Sequence, residues 1–171
     1  MNILLIGFKA VGKTTLGKLL SLKMGLEFID MDNVICKMHS DDTGEILDCR
    51  KLYLKYGEEY FRNIETKALK SMLLEGKKII AVGAGAIEKK HNREILKNLG
   101  KVIYLKESKE KIWERIVNQG FPPFFDVNNP RKSFEELFLK RTKYYEEIAS
   151  IVINCDGLDK GNILSEIVGR L

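Results

Sequence analysis

Proline is nearly absent from this chain. There are three, Pro122, Pro123 and Pro130, and all fall in one segment from Asn118 to Arg131. Elsewhere no helix or strand meets the lost N–H and ring clash that proline imposes. Histidine and cysteine are as sparse. His39 and His91 stand apart, and Cys36, Cys49 and Cys155 form no CxxC pair. That excludes a zinc finger or ribbon and a disulfide framework, and the thiols read as reduced. No apolar run approaches the ~20 residues that span a bilayer. Basic residues outnumber acidic ones, 29 to 24, but they are scattered among acids. Without a basic block there is no sign of a nucleic-acid-binding arm. Repeats, linkers and low-complexity tracts are missing too. Trp113 is the single tryptophan and reads as core rather than as a base-stacking platform.

What remains is a chain of 171 residues, 44% hydrophobic and 31% charged, the balance of one globular domain, 1–171. Its start runs from Ile3–Ile6 directly into a glycine loop, with no basic segment and signal-like core. The expected setting is therefore cytoplasmic. Short apolar runs alternate with helical periodicity, so the expected class is α/β with a five-stranded, mainly parallel sheet. Strands are expected at Asn2–Ile6, Glu27–Ile29, Lys78–Val82, Val102–Leu105 and Ile151–Asn154. The early helices are expected at Lys13–Met24, Met31–Met38, Thr43–Tyr56 and Glu58–Leu74, with Gly57 between the last two. Later ones are expected at His91–Asn98, Lys109–Asn118, Ser133–Ser150 and Lys160–Gly169. Ser108 is a candidate N-cap, and Ser133 with Glu136 has capping-box spacing.

The stretch Gly7-Phe8-Lys9-Ala10-Val11-Gly12-Lys13-Thr14-Thr15 fits G-x-x-x-x-G-K-[ST] between a strand and a helix. Gly7 and Gly12 allow a tight turn whose N–H groups face phosphate oxygens, and the helix that follows adds its positive end. Lys13 can reach β- and γ-phosphates, and Thr14 can ligate Mg²⁺. Asp30-Met31-Asp32 follows the second strand. One acid can face the metal while the other orients an acceptor hydroxyl and takes its proton. Asp at a helix start is equally the signature of an N-cap, and spacing leaves both readings open. In Gly57–Glu65, Arg62 lies one turn from Glu65, an arrangement suited to gripping a carboxylate, although taken alone it reads first as a surface ion pair. Arg141 lies on the late helix as a second candidate ligand. Gly83-Ala84-Gly85 follows the third strand, where ligands gather in open α/β sheets. The proline-bearing segment, about 118–132, reads as a lid that excludes water.

In this order and spacing the motifs resemble the shikimate kinase family over roughly Met1 to Cys155. The loop, the D-x-D pair and G-E-x-x-F-R-x-x-E are intact. The resemblance implies a P-loop kinase fold, ATP as co-substrate and Mg²⁺. It implies catalytic roles for Lys13 and Asp32, and ATP binding by Gly7, Gly12, Lys13, Thr14, Thr15 and, beside adenine, Arg115. Thr14 and Asp30 would hold the metal. Asp32, Arg62, Gly83, Gly85 and Arg141 would bind the substrate, whose segment spans about 31–62. Partners would be small molecules, with no nucleic acid or membrane, and the chain a monomer. The sequence departs from the family in three places. Ala84 replaces the middle glycine, Lys143-Tyr144-Tyr145 replaces Pro-Leu-Tyr, and Phe121-Pro122 stands where the lid has Arg-Pro. Arg131 is the alternative lid cation suggested by position.

The implied activity is phosphorylation of shikimate, in aromatic amino acid biosynthesis. Another hydroxy acid such as gluconate is the alternative acceptor. A nucleotide-binding regulatory module without efficient transfer is the alternative class.

Overall fold

A computed structural model describes residues 1–72 and 76–171. Five strands form one sheet: β1 (Asn2–Ile6), β2 (Glu27–Asp30), β3 (Lys78–Ala81), β4 (Gly100–Lys106) and β5 (Ile151–Asn154). The order is β2-β3-β1-β4-β5, and every pairing is parallel. All five strand ends that lead into helices therefore open on one edge. The crossovers are helical, as parallel pairing requires. The helices are α1 (Lys13–Met24), α2 (Met31–Thr43), α3 (Cys49–Ser71), α4 (Lys90–Leu99), α5 (Lys109–Gln119), α6 (Pro130–Ile148) and α7 (Lys160–Arg170).

Central β1 is buried along its whole length. Leu4 sits beside Ile80 on one side and Val102 on the other; all three are fully buried. Each such side chain contributes ~1.5–3 kcal/mol over exposure. Edge strand β5 buries Ile151 and Ile153 while Val152 faces out, the alternation of a strand covered on one face.

The second and third helices differ from expectation. α2 continues to Thr43, where Gly44 takes a left-handed conformation and bonds back to Ser40. The chain then stays non-helical until Asp48, whose carboxylate accepts from Lys51 N at 2.7 Å and starts α3 at Cys49. Glycine stop and aspartate start are a C-cap and an N-cap, and they replace the expected start at Thr43. Gly57 interrupts α3 with φ 82° and ψ 174°, breaking the helix axis where two helices were expected. The expected end of the following helix at Leu74 lies outside the described residues.

The capping box expected at Ser133 does not form. Pro130 opens α6, and Asn129 caps it by accepting from Lys132 N. Proline fits a first helical turn because its missing N–H would be unpaired there. The Ser133 hydroxyl instead accepts from Asp126 N at 3.0 Å, fastening the lid segment to α6. Ser108 does precede α5, but its side chain makes no capping bond.

Candidate active site

The edge where the strands end holds a cavity of about 440 Å³. Its floor is the loop after β1. Gly7 adopts φ 146°, and a Cβ there would lie 2.7 Å from the Leu105 carbonyl oxygen, so both conformation and space demand glycine. Gly12, at φ 102°, takes the N-cap position of α1 without any side-chain cap. The first N–H groups of α1 are left for an anion, and no acid in the first turn opposes one. Ala10 holds φ 67°, a conformation disfavoured for a residue with Cβ.

Lys13 folds back over the loop. Its Nζ donates to the carbonyls of Gly7 at 2.8 Å and Phe8 at 3.0 Å. Burial pushes its ammonium down to about 8, against the opposing pull of Asp32. The Thr14 hydroxyl donates to Asp30 Oδ2 at 2.8 Å, while Asp30 Oδ1 accepts from Asp32 N at 3.1 Å. Asp30 therefore caps α2, the N-cap reading left open in the sequence, and its other oxygen stands against the phosphate-loop helix. Asp32 projects from the first turn of α2 into the cavity. Burial first, then the Asp30 charge, raise its carboxyl above the usual range. Thr15 also lines the cavity.

The opposite wall comes from α3, α6 and the turn after β3. Arg62 is 9% exposed and Glu65 1%, with Nη1 to Oε2 at 2.9 Å, so the surface-pair reading fails for this pair. Gly85 explains how the guanidinium fits. A Cβ on Gly85 would fall 2.4 Å from Arg62 Nη1; the arginine lies flat on bare backbone. Gly83 serves the same end, because its Cβ would meet Glu65 Oε1 at 3.1 Å. Arg141, 2% exposed, donates through Nε and Nη2 to Glu88 Oε1 at 3.0 and 2.6 Å. Burial works against the Glu88 charge, yet Arg141 and Lys140 hold its carboxyl below the usual range. Both arginines line the cavity. Ala84, in place of the middle glycine, also lines it, and its carbonyl accepts from the buried Tyr145 hydroxyl at 2.6 Å.

Pro122, Pro123 and Phe124 of the expected lid cover the cavity. Phe124 meets Tyr53 of α3, with ring centroids 5.8 Å apart. Phe121 stacks on Trp113 at 5.6 Å, and its carbonyl accepts from Arg50 Nη1 at 2.7 Å.

Arg131 and Arg115, like Phe121, do not line the cavity. Arg131 is held outside the cavity, with Nη2 on Glu110 at 2.9 Å and Nε on Glu135 at 2.9 Å. Its guanidinium also lies 5.0 Å from the Trp113 ring centre. Two carboxylates and an aromatic face engage the group where it is, outside the cavity. Arg115 donates to the Ala10 carbonyl at 3.2 Å and to Glu107 at 3.0 Å. It thus stands on the outer side of the phosphate loop. Lys9, Arg50 and Tyr53 line the cavity but were not singled out in the sequence. Lys9 sits at a variable position of the loop motif, and the other two fall on a helix without a distinguishing pattern. Glu88 was missed for the same reason, since its only signal is spatial.

A parallel sheet with a phosphate loop after β1, a paired hydroxyl and carboxylate, buried arginines opposite and a covering segment defines a P-loop small-molecule kinase. The comparisons with known proteins narrow the class. A sequence model described as shikimate kinase matches residues 9–171. A shikimate kinase of Thermodesulfovibrio yellowstonii is 35% identical over 167 residues, covering 98% of this chain and 92% of that protein. One from Francisella tularensis is 36% identical, covering 97% and 92%. Among solved structures, the shikimate kinase of Acinetobacter baumannii in complex with shikimate superposes with a TM-score of 0.87 at 31% identity, covering 99% of this chain and 91% of that one. The Aquifex aeolicus shikimate kinase gives 0.81 at 27%, covering 98% and 94%. The chain belongs to the shikimate kinase family.

Proposed function

We propose that this protein transfers the γ-phosphoryl group of ATP to a hydroxyl of shikimate, giving shikimate 3-phosphate, ADP and a proton. The observation that carries this reading is one cavity with a phosphate loop at one end and two buried arginines, Arg62 and Arg141, at the other. Paired guanidinium groups suit a carboxylate, and family membership supplies the acid. This reading places the protein in aromatic amino acid biosynthesis, as a cytoplasmic monomer acting on small molecules.

The residues fit Mg²⁺. Thr14 and Asp30 bring a hydroxyl and a carboxylate together, hard oxygen donors of the kind magnesium takes. Among the described residues no group of three or more acidic, histidine or cysteine side chains could hold a metal. That agrees with an ion bound mainly through nucleotide phosphates and water. When bound, Mg²⁺ neutralises charge on the β- and γ-oxygens.

Lys13 leaves the Gly7 and Phe8 carbonyls for the phosphates and balances charge on the group in transfer. Arg62 and Arg141 hold the acceptor by its carboxylate, with Glu65 and Glu88 fixing the two guanidinium planes. Asp32 orients the acceptor hydroxyl and accepts its proton as the oxygen bonds phosphorus and the bond to ADP breaks. Burial and the Asp30 charge, by raising the Asp32 carboxyl, make it a stronger base once ionised.

The test is ADP release in a coupled assay with shikimate, with gluconate, and with neither. Release that depends on shikimate supports the proposal, and release that depends on gluconate alone moves it to another hydroxy acid. ATP binding without release would favour the nucleotide-binding module, a reading motivated by Phe121, whose side chain offers no donor to the phosphates.

A further inference from the structure

Three guanidinium groups line the cavity: Arg50, Arg62 and Arg141. Arg62 and Arg141 are each bonded to a carboxylate, Glu65 and Glu88 respectively. Arg50 differs from both. Among the described residues its hydrogen-bond partner is a neutral one, the Phe121 carbonyl at 2.7 Å. Its residue is exposed at the cavity mouth. It also lies close to the phosphate loop, since its charge, after burial, helps hold the Lys9 ammonium below the usual range.

A transferring phosphoryl group gathers negative charge on its outer oxygens, and a cation brought up from a mobile element is worth much in rate. The cation must be free of competing carboxylates, near the phosphate loop and coupled to closure. Arg131 fails the first condition, because Glu110 and Glu135 hold it. Arg62 and Arg141 are already bonded to carboxylates. Arg50 meets all three, being joined through its Nη1 to the backbone of the covering segment.

We infer that Arg50, carried on α3 and joined to the lid at Phe121, is the cation that contacts the phosphoryl group during transfer. The inference rests on the kinase reading above and adds a catalytic residue to it. On closure the guanidinium stays in register with the lid through one N–H, leaving the others to face the phosphoryl oxygens.

The experiment compares the parent protein with Arg50→Ala and Arg50→Lys in two assays. The first measures kcat and KM with ATP and shikimate. The second measures affinity for ADP with aluminium fluoride, a mimic of the transferring group that needs no acceptor turnover, against ADP alone. For Arg50→Ala we expect kcat to fall about 10²-fold. ADP affinity should stay within about three-fold, and the gain that aluminium fluoride gives over ADP should shrink by about the same factor as kcat. Arg50→Lys should retain part of both, and millimolar guanidinium should restore part of the Arg50→Ala turnover. A lid anchor alone would leave the aluminium fluoride gain unchanged and would not respond to guanidinium. Unchanged kcat, or an unchanged aluminium fluoride gain, overturns the inference. A parent protein inert toward shikimate would overturn the acceptor assignment instead, while the second assay still decides the role of Arg50.

Discussion

The two ends of the cavity are built by different means. At the phosphate end, consecutive residues do the work. Gly7 through Thr14 form one turn whose geometry is fixed by backbone conformation and by the close approach of Leu105. At the acceptor end, nothing is consecutive. Arg62 comes from α3, Glu88 from the turn after β3 and Arg141 from α6, the last two 53 positions apart. On the proposed reading the first end recognises its ligand chiefly with main-chain N–H groups, and the second with desolvated charge. A backbone device depends on local sequence, whereas a charge device depends on every element that brings a partner to it.

This contrast can be tested most severely at Lys13. Lys13→Ala should reduce turnover about 10³- to 10⁵-fold, the range of a cation aimed at a transferring phosphoryl group. The melting temperature should hold, since among the described residues Lys13 bonds to loop carbonyls. Turnover within a few-fold of the parent would make the loop a passive cradle.

Asp32 lies where the two ends meet. Asp32→Asn should lower kcat about 10²- to 10⁴-fold. The same change should raise the melting temperature at neutral pH. Because the folded-state carboxyl is raised from 3.8, its contribution to stability is full below that value and is lost as pH rises through the folded value. The gap in melting temperature between variant and parent should therefore close as the pH falls below 3.8. A variant no more stable at pH 7 would contradict the burial argument.

At the acceptor end, Arg62→Ala and Arg141→Ala should each weaken shikimate binding by about 2–4 kcal/mol, or roughly 30- to 700-fold. ATP binding should barely move. Arg62→Ala also leaves Glu65 buried without its cation, so it should lower the melting temperature. Adding Glu65→Gln should recover stability but not shikimate affinity. Weakened ATP binding in either single variant would dissolve the division between the ends.

A milder effect belongs to pH. With its ammonium pushed down to about 8, Lys13 in the free protein loses its charge as pH rises through that value. Nucleotide affinity should weaken from about pH 8 upward, and a pH-independent affinity would show that the phosphates do not rely on Lys13. The smallest effect is expected at Arg131. Arg131→Ala should leave turnover within two-fold, since its guanidinium is engaged by Glu110 and Glu135 outside the cavity. A large loss would mean that closure frees it.

The same contrast explains what could be read before any coordinates. Strands β1 and β5 and helix α1 match expectation to the residue, because buried apolar runs and a glycine boundary mark them locally. The gap between α2 and α3 was expected at 39–42 and lies at 44–48, because Gly44 and Asp48 fall inside a stretch of otherwise helical composition. Ser133 was misplaced as a cap because its spacing to Glu136 outweighed Pro130 and Asn129, which act first along the chain. Arg62 and Arg141 were legible through their motifs, but the burial of Arg62 and the pairing of Arg141 with Glu88 were not. Arg50 is one of 29 basic residues, and only its approach to the Phe121 carbonyl separates it from the rest.

Asp30 has a consequence for anyone who reads this protein through genetics. One oxygen of its carboxylate meets Thr14 and the other meets the N–H of Asp32. On the proposed reading, a mutational survey scored on activity alone would record Asp30 as a metal ligand, and one scored on expression would record it as a scaffold residue. The informative substitution is asparagine, whose amide oxygen still accepts from Asp32 N but brings no charge to an ion. If Asp30 holds Mg²⁺ as proposed, Asp30→Asn and Asp30→Ala would be different alleles in a cell dependent on this protein, the first a folded protein with a magnesium requirement shifted upward and the second a protein short of both.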